Sequence, residues 1–241
     1  MKKAIICLSI DDARENMLPL IYNELIPNNI PATIFAVTGF IDGTAENRGY
    51  PCVKKEELIK IHNTGLFEIA NHGDSHKNTI EDIKLGREKL ISWLNLDKGV
   101  KLGFASPGSN MKIKDALLMQ KDLEDAGVLY VRTYDNSIIF DENEKDSHAF
   151  ISKSEFAFSS VVVYKGVTPL DRLIELTEYA IKNNLTLILM LHNFAKKGEA
   201  IYDGAWTYDI DEFSKFLNYL IGKRERGELD ILTIKEALEK S

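Results

Sequence analysis

Short apolar runs alternate along the chain with longer segments in which apolar residues recur every three or four positions. The short runs are rich in β-branched residues and lack polar alternation, which predicts strands buried on both faces. These predicted strands are Ala4–Ile10, Thr33–Val37, Leu66–Ala70, Leu102–Ser106, Leu129–Thr133, Ser160–Tyr164, Thr186–Leu191 and Ile231–Leu232. The helical segments between them are Glu15–Ile26, Lys54–Asn63, Thr79–Leu94, Lys112–Ala126, Pro169–Asn183, Asp209–Ile221 and Ile234–Lys240.

Strands of this kind, each separated from the next by a helix, predict an α/β protein with a parallel sheet and right-handed crossovers. Seven or eight such units in 241 residues favour a (β/α) barrel, complete or incomplete, over an open sheet. No internal repeat or low-complexity linker divides the sequence. Residues 1–241 are therefore predicted to form a single domain.

Composition narrows the classes of partner. A net charge of −7 disfavours nucleic acid as a partner, because phosphate binding needs a basic face. No stretch approaches the roughly 20 apolar residues of a membrane span. The apolar run at the start is short and lacks a cleavage site for a signal peptide. With only Cys7 and Cys52 available, a disulfide framework is not expected. These features together predict a cytoplasmic protein, although a trimmed leader stays open, and they leave the oligomeric state undetermined.

Histidines and carboxylates gather where predicted strands end. Asp11 and Asp12 follow the first strand, His72 and His76 follow the third, and His192 follows the seventh. The carboxyl ends of parallel barrel strands form one rim, at which active sites lie. Three of the five histidines are therefore predicted to lie at the same rim.

Two imidazoles and one carboxylate, with positions left for water and substrate, are a common catalytic metal site. Asp12, His72 and His76 supply this set, the two histidines being four positions apart. Asp11 and Asp12 are adjacent and are expected to point in different directions, so that Asp11 stays free for proton transfer. His192 is a candidate general acid, since histidine titrates near neutral pH.

Structural alternatives exist for each of these residues. The two aspartates could cap the following helix. The two histidines could flank the turn Gly73–Ser75 at the surface. His192 could be a buried histidine whose ring is satisfied within the core.

The residues together resemble the polysaccharide deacetylase family, also called NodB-type carbohydrate esterases. The family motif Thr-Phe-Asp-Asp-Gly is similar to Ser9–Ala13, His-Ser/Thr-x-x-His is similar to His72–His76, and Leu-His-Asp is similar to Leu191–Asn193. The resemblance implies a distorted (β/α) barrel of seven or eight strands that removes acetyl groups from N-acetylated sugars or from esters. It also implies that Asp12, His72 and His76 bind one divalent ion, zinc in the first place, with cobalt, manganese or nickel as alternatives. Asp11 would be the base and His192 the acid.

The sequence departs from the family in its third motif. Arg-x-Pro-x-Gly is replaced by Ala105–Ser109, so the arginine that would orient the base is absent. Arg132 could supply this charge from the next strand, or could form an ordinary salt bridge at the edge of the core. The resemblance places the backbone N–H of Gly108 as a donor to the oxyanion. Ala13 replaces a glycine and Asn193 an aspartate.

Pro107, Tyr134 and Trp206 are predicted to contact the substrate. Trp206 belongs to a loop with other aromatic residues, which could instead pack over the barrel mouth.

The sequence thus predicts a metal-dependent hydrolase that deacetylates a carbohydrate. Two alternatives remain. The altered third motif and the absence of a leader are compatible with an amidohydrolase acting on another small intracellular amide. The loss of the motif arginine is compatible with an inactive, carbohydrate-binding barrel.

Overall fold

Parallel strands that follow one another around a curved sheet dominate the computed structural model, which describes residues 3–47, 49–134, 150–151, 155–164, 166–199 and 207–240. The strands are β1 (Ala4–Asp11), β2 (Ala32–Ala36), β3 (Phe67–Asn71), β4 (Leu102–Ala105), β5 (Val128–Arg132), β6 (Phe150–Ile151), β7 (Ala157–Phe158), β8 (Val161–Val162), β9 (Thr186–Leu191), β10 (Asn193–Ala195), β11 (Thr207–Asp209) and β12 (Leu229–Ile231). Eight of them lie in the parallel order β8-β9-β1-β2-β3-β4-β5-β7. The predicted fold class, a distorted (β/α) barrel, is confirmed.

The two edges of this curved sheet are joined by one short segment. β7 pairs with β5, and β8, which begins three residues after β7 ends, pairs with β9 at the other edge. Ser159 and Ser160 lie between the two pairings and are fully buried. The predicted strand Ser160–Tyr164 is therefore shorter in the structure, and this interruption between β7 and β8 is one source of the barrel's distortion.

Helices pack against the outside of the sheet and, in the case of the last one, against the end of the barrel. They are α1 (Leu18–Leu20), α2 (Thr38–Asp42), α3 (Lys55–Asn63), α4 (Ile80–Leu94), α5 (Ile113–Leu118), α6 (Gln120–Asp125), α7 (Leu170–Asn183), α8 (Ile210–Glu225) and α9 (Ile234–Lys240). Two predicted helices are less regular than their apolar period indicated. The helix predicted at Glu15–Ile26 consists of a 3-10 turn, α1 and a π turn, and the one predicted at Lys112–Ala126 is interrupted at Met119.

Alternate residues of the strands face opposite sides of the sheet. Two hydrophobic clusters lie between sheet and helices and form the outer core, and a third cluster fills the barrel as the inner core. On β1, Ile6 and Leu8 belong to the outer core, while Ile5 and Cys7 belong to the inner one. Residues of α9 also join the inner core, so the last helix closes the amino-terminal end of the barrel. The interior is packed, which leaves the carboxyl-terminal rim as the place for a site.

Some elements lack a signal in the sequence. They are α2, the two-residue antiparallel strand β6, the two-residue parallel strand β7, and the small parallel pair β10–β11 that follows His192. Among the described residues, none of the helices combines the length and the apolar character that crossing a bilayer requires.

Candidate metal centre

The chain leaves β1 through two residues in the left-handed region, and this turn shapes the site. Asp12 has φ 68° and Ala13 has φ 50°. Strand alternation predicted that Asp11 and Asp12 would point apart. The turn breaks that alternation, and both carboxylates face the same imidazole, with Oδ2 of Asp11 at 3.9 Å and Oδ1 of Asp12 at 3.5 Å from Nε2 of His72. Ala13 stands where the family motif has glycine, the residue that adopts this conformation without steric cost.

His72 is held in the orientation that a metal ligand needs. Its Nδ1 lies 2.8 Å from the carbonyl oxygen of Ala105, which only accepts, so Nδ1 carries the proton and donates. The lone pair is then on Nε2, which faces Asp12. Ligating histidines in proteins are commonly oriented by such a hydrogen bond to a carbonyl.

His76 completes a cluster of three possible ligands. Its Nε2 lies 3.5 Å from Oδ1 of Asp12, and its ring meets that of His72 at an angle of 78° with 4.8 Å between the centroids. One ligand atom from each of the three residues lies within 4.8 Å of the other two. The structure therefore brings together the three residues that the sequence predicted as ligands.

The donor set fits a divalent ion. Oδ1 of Asp12 is buried and has no hydrogen-bond partner among the described residues, yet two imidazole nitrogens lie 3.5 Å from it. Ligand atoms that are bound tetrahedrally at zinc–ligand distances lie about 3.4 Å from one another, which is close to this spacing. Burial lowers the pKa of His72, which keeps the ring neutral as ligation requires. Burial alone would raise the pKa of Asp12, but the positive charge around it, which includes that of Arg14, holds the pKa well below its usual range.

The turn that carries the two histidines is fixed from α4. Asp82 accepts hydrogen bonds from the backbone N–H of Ser75 at 2.9 Å, from its hydroxyl at 2.6 Å and from the backbone N–H of Lys77 at 3.0 Å. Gly73 has φ 79°, and a Cβ there would collide with the Asp82 carboxylate. These bonds place His76, itself at φ 59°, beside His72.

Asp11 forms a buried ion pair with Arg132, whose Nη2 donates to Oδ1 of the carboxylate. The guanidinium also lies over the ring of Phe35, with 5.0 Å from Cζ to the centroid, and its Nη1 lies 2.8 Å from Sδ of Met190. The arginine that the third motif lacks thus has a counterpart on the neighbouring strand. Of the two interpretations of Arg132, the charge that orients Asp11 agrees with this geometry.

His192 faces the other oxygen of the same carboxylate. Its Nε2 lies 3.7 Å from Oδ2 of Asp11, and its side chain is 14% exposed. Burial lowers the pKa of His192, while the charges of Asp11 and Asp12 oppose that effect. The five residues that the sequence motifs singled out are therefore in one cluster.

Arg14 was not singled out from the sequence, although it contacts the centre directly. Its Nε and Nη2 donate to Oδ2 of Asp12 at 2.9 and 2.6 Å. The guanidinium stacks on the ring of Tyr50, with 4.3 Å from Cζ to the centroid. The only signal in the sequence was that Arg14 follows Asp12 by two positions.

The remaining predicted residues are Pro107, Gly108, Tyr134 and Trp206. Pro107 and Gly108 form a 3-10 turn directly after β4, in which Gly108 has φ 60°. Asn78 holds this turn with two hydrogen bonds. Its Nδ2 donates to the carbonyl of Pro107 at 2.9 Å, and its Oδ1 accepts from the hydroxyl of Ser106 at 3.0 Å. Tyr134 is half-buried and follows β5. Trp206 lies outside the described residues, so its predicted role stays a prediction.

The fold and this cluster define a class, a parallel (β/α) barrel with a candidate Asp-His-His metal centre at the carboxyl rim. Comparison with known proteins agrees with this class. Residues 1–102 match the family described as polysaccharide deacetylase, and this stretch contains the first two motifs. The resemblance to that family is confirmed. No curated protein matches the chain.

Solved structures with the same fold extend over nearly the whole chain. The Xyl-CE4 domain of a multidomain xylanase from the hindgut metagenome of Trinervitermes trinervoides has a TM-score of 0.53 and 14% identity, over 99% of this chain and 91% of the other. A family 4 acetyl xylan esterase from Clostridium thermocellum, in complex with a cobalt ion, has a TM-score of 0.51 and 14% identity, over 96% of this chain and 89% of the other. At these identities the likeness shows the fold.

Proposed function

We propose that this protein is a metal-dependent deacetylase of N-acetylated, or O-acetylated, carbohydrates. Asp12, His72 and His76 hold one divalent ion, with zinc the first candidate because two imidazoles and a carboxylate suit it. The observation that carries the proposal is the orphaned Oδ1 of Asp12, which is buried between two imidazole nitrogens at 3.5 Å. Support for the carbohydrate substrate comes from the family match and from the acetyl xylan esterase and the xylanase domain that share the fold.

A divalent ion in this position supplies a Lewis acid that polarises the acetyl carbonyl and lowers the pKa of water. Asp11 acts as the base that removes the proton from the attacking water. Its Oδ1 is occupied by Arg132, so Oδ2 is the oxygen that accepts the proton. The ion pair fixes the carboxylate in the rim, which a general base requires.

His192 delivers a proton to the leaving group. The water oxygen forms a bond to the acetyl carbon, the carbon–nitrogen or carbon–oxygen bond breaks, and the departing amine or alcohol takes the proton from Nε2. Burial lowers the pKa of His192, which makes its protonated ring a stronger acid, while the charges of Asp11 and Asp12 favour the protonated form that the transfer starts from. Nε2 of His192 lies 3.7 Å from Oδ2 of Asp11, so the acid and the base are neighbours. The proton that Asp11 takes from water can therefore return to His192 after the reaction.

The backbone N–H of Gly108 stabilises the oxyanion that forms at the acetyl oxygen. Preorganised N–H donors are effective in this role because they cost no reorganisation in the transition state. The two hydrogen bonds by which the Asn78 side chain holds the turn support such a fixed donor.

Acetate release from acetylated chito-oligosaccharides tests the proposal. The parent protein is expected to release acetate with zinc or cobalt, and to stop when a chelator removes the ion. Asp11→Asn is expected to lower kcat by roughly 10²- to 10⁴-fold, the usual contribution of a positioned base. Because the amide oxygen in this variant could still accept a hydrogen bond from Arg132, thermal unfolding of the variant shows whether the fold is intact.

Asp211→Asn is a suitable control, since this aspartate lies at the exposed start of α8. It removes the same charge without touching the rim and is expected to keep the parental rate. Turnover that is indifferent to the chelator, or a folded Asp11→Asn protein with parental kcat, would contradict the proposed mechanism.

A further inference from the structure

The two oxygens of the Asp12 carboxylate have different kinds of partner. Oδ1 faces the imidazoles of His72 and His76, as described above, while Oδ2 accepts two hydrogen bonds from Arg14. Arg14 therefore occupies the oxygen that a bidentate ligand would need. Only Oδ1 remains for an ion.

The guanidinium of Arg14 is fixed on more than one side. The face of Tyr50 covers it at 4.3 Å, and its side chain is only 17% exposed. The backbone of Arg14 forms an antiparallel bridge with Cys52, and the N–H of Glu15 donates to the carbonyl of Pro51 at 2.9 Å. The segment that carries Tyr50 thus lies along the turn that carries Asp12. These contacts fix Arg14 beside Asp12.

Each carboxylate of the cluster has an arginine as its partner. Asp11 is paired with Arg132 and Asp12 with Arg14. Two buried carboxylates would otherwise repel each other at the end of β1, which is costly in a poorly solvated place. An ion that binds at Oδ1 enters a centre whose negative charge is already compensated.

We propose that Arg14 is a built-in counter-ion of the metal-binding carboxylate, which keeps Asp12 in place without an ion and lowers the affinity of the centre for divalent cations. This inference rests on the proposed metal site and concerns a positioning residue, which acts through Asp12. Like charges that lie a few ångströms apart repel each other, and they do so more strongly in a protein than in water. The removal of Arg14 therefore strengthens the attraction between Asp12 and a cation.

Titration of the chelator-stripped protein with zinc and cobalt tests this inference. Arg14→Gln is expected to bind both ions more tightly, on the order of tenfold to a hundredfold. The same variant is expected to melt at a lower temperature than the parent without ion, and to gain more in melting temperature when ion is added, because stabilisation by a ligand grows as its Kd falls. Arg14→Lys keeps the charge and is expected to stay close to the parental affinity.

Two further variants make the outcome decisive. Arg87→Gln removes an arginine that donates to backbone carbonyls of Lys98 and Val100, so it can lower stability but is expected to leave ion affinity unchanged. Arg14→Met removes the charge while keeping an apolar contact with Tyr50, and it replaces Arg14→Gln should that protein fail to fold. Equal or weaker ion binding by the charge-removing variants would overturn the inference and leave the proposed function standing. Failure of the parent to bind either ion would overturn both.

Discussion

His72→Ala is expected to abolish binding of the divalent ion and to lower acetate release on the order of a thousandfold, because an ion in such a site supplies several kilocalories per mole of transition-state stabilisation. His72 is buried, and its Nε2 lies within 3.9 Å of both aspartates, so no other described side chain takes its place when the ring is removed. Ion binding is measured by titration of the metal-free protein, and turnover by acetate release.

His62→Ala is the matched control for this prediction. His62 belongs to α3, is half-buried, and has no place in the predicted ligand set. Its replacement is expected to leave ion affinity and kcat at parental values. Parental ion affinity in His72→Ala would remove this histidine from the ligand set and would contradict the predicted centre.

Arg132→Met is expected to lower the free energy of unfolding by about 3–5 kcal/mol, the range observed when one partner of a buried ion pair is removed. Arg132 is 1% exposed and Asp11 is 2% exposed, so the carboxylate that remains is a buried charge without its partner. The loss is measured by urea unfolding at neutral pH. Turnover is expected to fall as well, since the base loses the group that orients it.

The double variant Asp11→Asn/Arg132→Met separates the two causes of this loss. It removes the uncompensated charge and is expected to recover part of the stability that Arg132→Met loses, but none of the turnover. Arg172→Met is the control, because Arg172 pairs at 2.5 Å with Glu175 on the surface of α7 and such pairs contribute little. An Arg132→Met protein as stable as the parent would show that the pair does not hold Asp11 in the rim.

The position of the site followed from a general property of parallel barrels. Apolar runs located β1, β3 and β9, and the histidines and aspartates that follow them meet at one rim because the carboxyl ends of parallel strands do. The predicted strand ends were accurate to one residue at these three places, since each run passes abruptly into polar residues. The set Asp12, His72 and His76 could therefore be predicted from the sequence.

The neighbours of these residues could not be predicted in the same way. Arg14 binds Asp12 only because Asp12 and Ala13 adopt left-handed conformations, which an alanine rarely does. The same turn explains why both aspartates reach His72 when strand alternation predicted that they would diverge. Asp82 supports the histidine turn from the first turn of α4, where an aspartate is also expected simply for the helix dipole.

The irregular elements could not be predicted from the apolar periodicity, for a related reason. α2 spans five residues and includes a glycine, which is too short for a helical pattern to emerge. The π turn within the first helical segment keeps apolar residues buried, so the sequence pattern does not distinguish it from a regular helix.

The most direct test of the centre is anomalous scattering from crystals soaked with zinc or cobalt. The expected result is one strong peak bound by Oδ1 of Asp12 and by Nε2 of His72 and His76, with Arg14 still on Oδ2 of the same aspartate. A peak at other residues, or none under conditions in which the ion saturates the protein in solution, would contradict the assignment of these three side chains as a metal centre.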